Sequence, residues 1–284
     1  MADEEFLSTC FIFSICVYYK TMNAMTEKDT ELKEEQVAPI VHDPAKLALL
    51  EEMMKVGLFM GKRHAKTHPR MKPFLFGTRN GMEIIDLEDT LNFLDKAMEF
   101  IKTKVSAKGI VLMVSTTPVA KDSVAEMAKK LELPHVTERW LGGTLTNFKT
   151  MAKRVSYFKK LKDDKATGRL DKYTKKERLN IDRQITKMTT MFGGVENMDR
   201  LPDVVFLVDV SKQMIPVHEA ELLKIPVVGV LNSDTDPEVV DYPIPANDRS
   251  RQSIDWILAR FEKAVLDGRA AVKTEVKADA KLAS

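Results

Sequence analysis

Residues 149–200 read KTMAKRVSYFKKLKDDKATGRLDKYTKKERLNIDRQITKMTTMFGGVENMDR, and this block fixes what kind of fold the rest of the chain has to build. It holds fifteen Lys or Arg against seven Asp or Glu, a net charge of +8 in a chain of net +2, so the remainder carries −6. Phe148, Met151, Val155 and Phe158 recur at helical spacing, and so do Ile181, Ile185, Met188 and Phe192. Between them Asp163–Tyr173, with Gly168, reads as a turn, Thr174 and Glu177 form a capping box, and Gly193 with Gly194 closes the second helix. Each apolar stripe is as narrow as a coiled-coil seam. The prediction is therefore an antiparallel helical hairpin over 149–199, projecting roughly 25 Å, satisfied by its own seam and separable from the body. Its cations face outward, where a nucleic-acid backbone is the commonest anion at this density and a merely solvated hairpin is the alternative.

On either side of the block the pattern alternates between short apolar runs and amphipathic helices. Strands are expected at Met82–Ile85, Ile110–Val114, around His135 and Val136, and at Val204–Val208, Val227–Leu231 and Tyr242–Ile244. Helices fall between them: one over Leu87–Ile101 capped by Asp86, one opened by Thr117 and Pro118, then Ile215–Leu223 and Arg251–Leu266. Alternation of this kind implies right-handed crossovers and a doubly wound parallel sheet of about five strands, occupying 44–148 and 200–268. An initial helix through Leu47, Leu50, Met54 and Leu58 is expected to end at Gly61, and the Ala/Lys tail over 269–284 to fray.

A second basic segment runs from Lys62 to Asn80, with six Lys or Arg, two His and no acid. Pro69 and Pro73 make it a loop leading to a short strand. It is a second basic surface, built by Lys62, Arg63, Lys66, Arg70, Lys72 and Arg79, for the same kind of anion as the hairpin. Residues 1–43 read as a disordered extension: Phe6–Tyr19 is apolar over only 14 residues, too short to span a bilayer, and acids precede it where a secretory signal would be basic. Cys10 and Cys16 give neither a disulfide framework nor a CxxC pair. No membrane partner is expected.

The strand ends of a doubly wound sheet are where a ligand would bind. After Val114 the chain runs Ser115-Thr116-Thr117-Pro118 without the glycine that lets backbone approach a pyrophosphate, and neither a dinucleotide fingerprint nor a P-loop occurs, so no cofactor and no small-molecule substrate are expected. Asp209, Asp234 and Asp236 sit just past strands, where carboxylates build turns more often than they hold magnesium. His64 and His68 have the spacing of a helical metal pair, but Pro69 follows at once. Gly142, Gly143 and Thr144 either cradle a phosphate through their amides or permit unusual dihedrals at the hairpin root. Trp140, beside Arg139, either stacks on a base or plugs that root.

The strings Arg70-Met71-Lys72-Pro73-Phe74, Arg79-Asn80, Arg139-Trp140-Leu141-Gly142-Gly143-Thr144-Leu145-Thr146-Asn147, Thr174-Lys175-Lys176-Glu177, Leu201-Pro202-Asp203, Asp234-Thr235-Asp236-Pro237 and Ile244-Pro245-Ala246-Asn247-Asp248 occur in that order. In them the chain resembles the bacterial form of the ribosomal S-two family, from about Lys46 to Gly268. The resemblance implies a flavodoxin-like sheet with a coiled-coil hairpin, no catalysis, and a place in the cytoplasmic ribosome. It also implies binding to small-subunit ribosomal RNA at the head–body junction, contact with neighbouring proteins, and help in seating the large messenger-binding protein S-one. RNA contact carries over onto Arg70, Lys72, Arg79, Asn80, Arg139, Trp140 and Asn147, and onto hairpin cations including Lys149, Lys153, Arg154, Lys175, Lys176 and Arg178. One departure stands out. Where members usually show Gly-x-His-Phe-Gly-His, this chain has Gly57-Leu58-Phe59-Met60-Gly61-Lys62, and Lys62 is expected to preserve the attraction for phosphate.

Overall fold

The computed structural model describes residues 44–282; the extension expected over 1–43, with its apolar run and both cysteines, lies outside them. Five strands form one parallel sheet in the order β5-β4-β6-β7-β8: β4 is Val111–Val114, β5 His135–Val136, β6 Val204–Val208, β7 Val227–Leu231 and β8 Tyr242–Pro245. Counted from the first strand of the sheet this is 2-1-3-4-5, the flavodoxin-like arrangement. β4, β6 and β7 are buried at every residue. Their sequences are unbroken apolar runs because both faces are covered.

Side-chain alternation divides the core in two. Val111, Met113, Val204, Phe206 and Val208 point to one face, where they meet α1 (Pro44–Lys55), α2 (Leu87–Ser106), α3 (Pro118–Lys130) and α7 (Arg251–Leu282). Leu112, Val114, Val205 and Leu207 point to the other, toward α6 (Met214–Leu222) and the root of the hairpin. The hairpin consists of α4 (Phe148–Ala166) and α5 (Lys175–Phe192), with Gly168 at φ 71° in the turn and the Thr174–Glu177 capping box formed in full.

Four expectations need correction. Met82–Ile85 (β3) does not join the parallel sheet; it is the centre of a separate antiparallel sheet with β1 (Met60–Arg63) and β2 (Leu75–Arg79). Asn80 and Gly81 both take positive φ, 52° and 75°, the tight turn that folds β2 back on β3. The first helix stops at Lys55 rather than Gly61, because Gly57 at φ 76° lets the amides of Gly57 and Leu58 close on Met54 O and Met53 O. Gly61 lies instead in β1, where a Cβ would come within 2.9 Å of Glu83 O. The chain after Gly268 continues as helix to Leu282, and Gly268 is a crossing point: a Cβ there would meet Lys102 O on α2 at 2.8 Å.

The fourth correction concerns the hairpin seam. Met151, Phe158, Ile185 and Phe192 are buried in the same cluster as the sheet residues Leu112, Val205 and Leu207, together with Val195 and Met198 beyond α5. The lower half of the hairpin is thus part of the main core. Gly194 anchors its return: His135 N donates to Gly194 O at 2.9 Å, and a Cβ at Gly194 would lie 2.1 Å from His135 O.

Candidate nucleic-acid interface

Three basic segments project from the body of the protein, the first two backed by buried carboxylates and the third by an apolar seam. The first is β1 and the turn after it. Strand alternation sends Arg63 outward and Lys62 inward, so that Lys62 is only 6 % exposed. Its Nζ lies 2.6 Å from Asp234 Oδ2 and 3.3 Å from Asp248 Oδ2, and its backbone N–H donates to Ser233 Oγ. Burial pushes the Asp248 carboxyl up; the Lys62 ammonium opposes this and Asp209 adds to it. Lys62 therefore spends its charge inside the protein, which corrects the expectation that it offers that charge to phosphate. Its neighbours Arg63 and Lys66 are exposed.

Glu83 on β3 organises the rest of this segment. It accepts from Thr67 Oγ1 at 3.0 Å and Thr78 Oγ1 at 2.9 Å and pairs with His64 Nδ1 at 2.5 Å, although it is 4 % exposed. Burial raises its pKa, but the bonds from His64, Thr78 and Thr67 outweigh that and hold the carboxyl below the ordinary range. The result is a fixed platform on which Lys72, Arg79 and Asn80 are exposed. Arg70 is exposed too, but pairs with Asp236 at 2.6 Å and Glu238 at 3.0 Å, contacts that an anion would have to compete with.

The second segment, residues 139–147, joins β5 to the hairpin. Trp140 is 8 % exposed and its indole N–H donates to Glu219 Oε1 at 2.9 Å. It is the plug at the hairpin root, not a stacking platform. The amides of Gly143, Leu145 and Thr146 converge on the same Glu219 carboxylate, so of the three residues suspected of cradling a phosphate only Gly143 takes part in an anion nest, which holds an internal anion, while Thr144 N donates to Leu141 O. Arg139 and Asn147 flank it and are exposed; Asn147 stands at the N-cap of α4 without using its side chain as a cap.

The third segment is the hairpin itself. Lys149, Lys153, Arg154, Lys175 and Lys176 are exposed, and Arg178 is half-buried. Lys162 and Lys165 instead pair with Glu196 and Asp182, tying the two helices and the return loop together. Sequence reasoning thus named the charged surfaces but gave no role to the acids behind the first two of them, Glu83, and Glu219, which entered only as part of a resembling string, Glu219-Ala220. A lone Glu in a strand or helix carries no signal of burial until the donors facing it are placed.

The crevice at the carboxyl ends of the strands is closed by the chain's own groups. Ser115 Oγ and Thr117 Oγ1 lie 3.1 Å apart, Gln213 Nε2 donates to Thr116 Oγ1, and Asn232 Nδ2 donates to Asp248 Oδ1 at 2.7 Å. Asp209, at φ 65°, accepts from Ser211 Oγ and pairs with Lys212 at 3.2 Å. The three aspartates weighed for magnesium, Asp209, Asp234 and Asp236, each have a basic partner. Among the described residues no helix is long and apolar enough to cross a membrane.

Comparison with known proteins agrees with this architecture. Residues 53–268 match the family model described as Ribosomal protein S2. The chain is similar to the small ribosomal subunit protein uS2 of Roseiflexus sp. (strain RS-1), 41 % identical over 224 residues that cover 79 % of this chain and 86 % of the relative. The protein of the same description from Bifidobacterium longum (strain DJO10A) is 41 % identical over 220 residues, covering 77 % and 78 %. That of Mycobacterium leprae (strain TN) is 40 % identical over 219 residues, covering 77 % and 79 %.

Proposed function

The chain belongs to the ribosomal protein S2 family, and from that premise we propose that it is held in the small subunit by RNA contacts from three separately anchored basic surfaces. Its role in the subunit is structural and not enzymatic, and its partners are ribosomal RNA and other subunit proteins. The contacts we assign are Arg63, Lys66, Lys72, Arg79 and Asn80 on the small sheet, with Arg70 once released from its acids. At the hairpin root they are Arg139, Asn147, Lys149, Lys153 and Arg154, and at the hairpin's far end Lys175, Lys176 and Arg178. Lys62 and Trp140 are left out of the contact set because both are buried and already partnered.

One observation carries this reading. The exposed cations stand on segments held from behind, by buried Glu83 under the small sheet, by buried Glu219 behind residues 139–147, and in the hairpin by its apolar seam and the Lys162–Glu196 and Lys165–Asp182 pairs, so their positive charge faces outward. A backbone polyanion is the ligand such a surface fits, because each contact releases condensed counterions. The resemblance further supports placement at the head–body junction and a part in seating S-one. Co-sedimentation with small subunits depleted of this protein tests the reading. Wild type should bind in moderate salt, a variant with Arg139, Lys149, Lys153 and Arg154 changed to Gln should bind at least tenfold more weakly, and subunits lacking the protein should retain less S-one. Undiminished binding by that variant would place the interface elsewhere.

A further inference from the structure

We propose that Glu219 is the positioning residue of the RNA face: one buried carboxylate, standing where a phosphate oxygen would sit in a backbone nest, sets the direction in which Arg139, Asn147 and the hairpin meet RNA. Glu219 lies on α6, an element with no cation in the proposed interface, and is 6 % exposed. Its Oε1 accepts from Trp140 Nε1 at 2.9 Å and Gly143 N at 2.8 Å; its Oε2 accepts from Leu145 N at 2.9 Å and Thr146 N at 3.2 Å. Four N–H groups from one short segment converge on it, and Gly143 reaches that geometry at φ 86°, a region open to glycine.

The segment so held is the only covalent link between β5 and α4. Arg139 precedes the first donor, Trp140. Asn147 follows the last, Thr146, and begins the helix at Phe148. Without the carboxylate, Trp140 Nε1 and Leu145 N would lose their acceptor in a buried site and Gly143 N and Thr146 N in a part-buried one, and the segment would satisfy them by turning toward water. Burial raises the pKa of Glu219, but the bonds from Trp140, Leu145, Gly143 and Thr146 bring it below the ordinary range, so the group is an anion at any pH where the ribosome works. A neutral isostere cannot replace it, since a Gln amide turns an N–H toward donors.

The inference rests on the RNA contacts proposed above, and the experiment separates the two. Binding to small subunits depleted of this protein is measured for wild type, Glu219→Gln, Glu219→Ala and Arg139→Gln, at a temperature where circular dichroism shows each to be folded. Glu219→Gln and Glu219→Ala should bind at least tenfold more weakly than wild type. Formate should restore most of that loss to Glu219→Ala and none to Glu219→Gln, against chloride at equal ionic strength, because formate fits the vacated nest. Because affinity is read where every variant is already folded, a residue that only contributed to stability would show neither the loss nor its rescue. If Arg139→Gln loses binding while the Glu219 variants keep it, or if formate does no more than chloride, the positioning role is overturned and the interface stands. If every variant binds like wild type, the interface itself is wrong. Should Glu219→Ala fail to fold even with formate, Trp140→Phe, which removes one donor and leaves the carboxylate, should still weaken binding about threefold; unchanged affinity there would overturn the proposal.

Discussion

A lysine that looks from the sequence like a surface cation can be committed inside the protein, and Lys62 shows why position on a strand decides it. Strand alternation turns it inward, where Asp234 and Asp248 take both its charge and its hydrogen bonds. Lys62→Met would leave two carboxylates without a counter-charge, a change that costs about 3–5 kcal/mol at neutral pH when the site is buried. The pH dependence has a definite sign. Burial already holds Asp248 above its ordinary pKa, and removing the ammonium that opposes this drives it higher. A carboxyl whose folded pKa lies above its unfolded value stabilises the fold fully below the unfolded pKa and loses that contribution as pH rises through the folded one. The deficit of Lys62→Met should therefore shrink as urea denaturation is repeated from neutral pH down toward the ordinary carboxyl value of 3.8, and a deficit constant over that range would count against this account. Glu219 goes the other way. Its folded pKa is depressed, so its contribution is present above the ordinary value of 4.5 and is lost as pH falls through the lower folded value. The stability gap between wild type and Glu219→Gln should accordingly be widest at neutral pH and close on acidification below 4.5; a gap that widened in acid would contradict the assignment.

At the scale of elements, regular periodicity and caps were legible and tertiary register was not. The strands of the parallel sheet read as apolar runs, Asp86 caps α2 by accepting from Glu88 N, and Thr174 with Glu177 caps α5, each a local pattern that one sequence displays. The small sheet was legible only in part. Asn80-Gly81 is the signature of a tight hairpin turn, but the run Met82–Ile85 by itself is as compatible with a parallel strand as with an antiparallel one. The hairpin seam went further astray, because spacing tells which residues share a face and not whether that face also meets a sheet. A deletion experiment distinguishes the two halves of the hairpin. Replacing residues 163–180 with a short Gly-Ser linker keeps Met151, Phe158, Leu161 and Ile185 and should leave a cooperative unfolding transition. Replacing all of 149–199 strips Met151, Phe158, Ile185, Phe192, Val195 and Met198 from the core. At about 1.5–3 kcal/mol for each large apolar side chain, that loss is comparable with the ~5–15 kcal/mol stability of a whole domain. The longer deletion should abolish the transition, and a folded product would return the seam to the hairpin alone.

For the molecule as a whole, the chain's own polar groups pair with one another at the strand-end crevice, and the proposed RNA contacts lie elsewhere. At the strand ends, hydroxyls, amides, aspartates and Lys62 bond one another, while the exposed cations of the proposed RNA contacts lie on the small sheet, the hairpin root and the hairpin. The sequence count of charge was right about segregation and blind to which charges are already paired. That difference is measurable as a salt slope. Removing one cation–phosphate pair should make the dependence of log K on log salt shallower by about 0.7–0.9. Changing Lys175, Lys176 and Arg178 to Gln should lower the slope of binding to depleted small subunits. So should changing Arg63, Lys66, Lys72 and Arg79, and combining the sets should add their effects because they stand on separately anchored elements. Lys62→Met, assayed where it is folded, should weaken binding no more than its effect on folding requires and leave the slope unchanged, since its charge never reaches the surface. A slope that fell with Lys62 but not with the hairpin cations would mean that formal charge governs the interface, and that the buried acids are not what decides which cations RNA encounters.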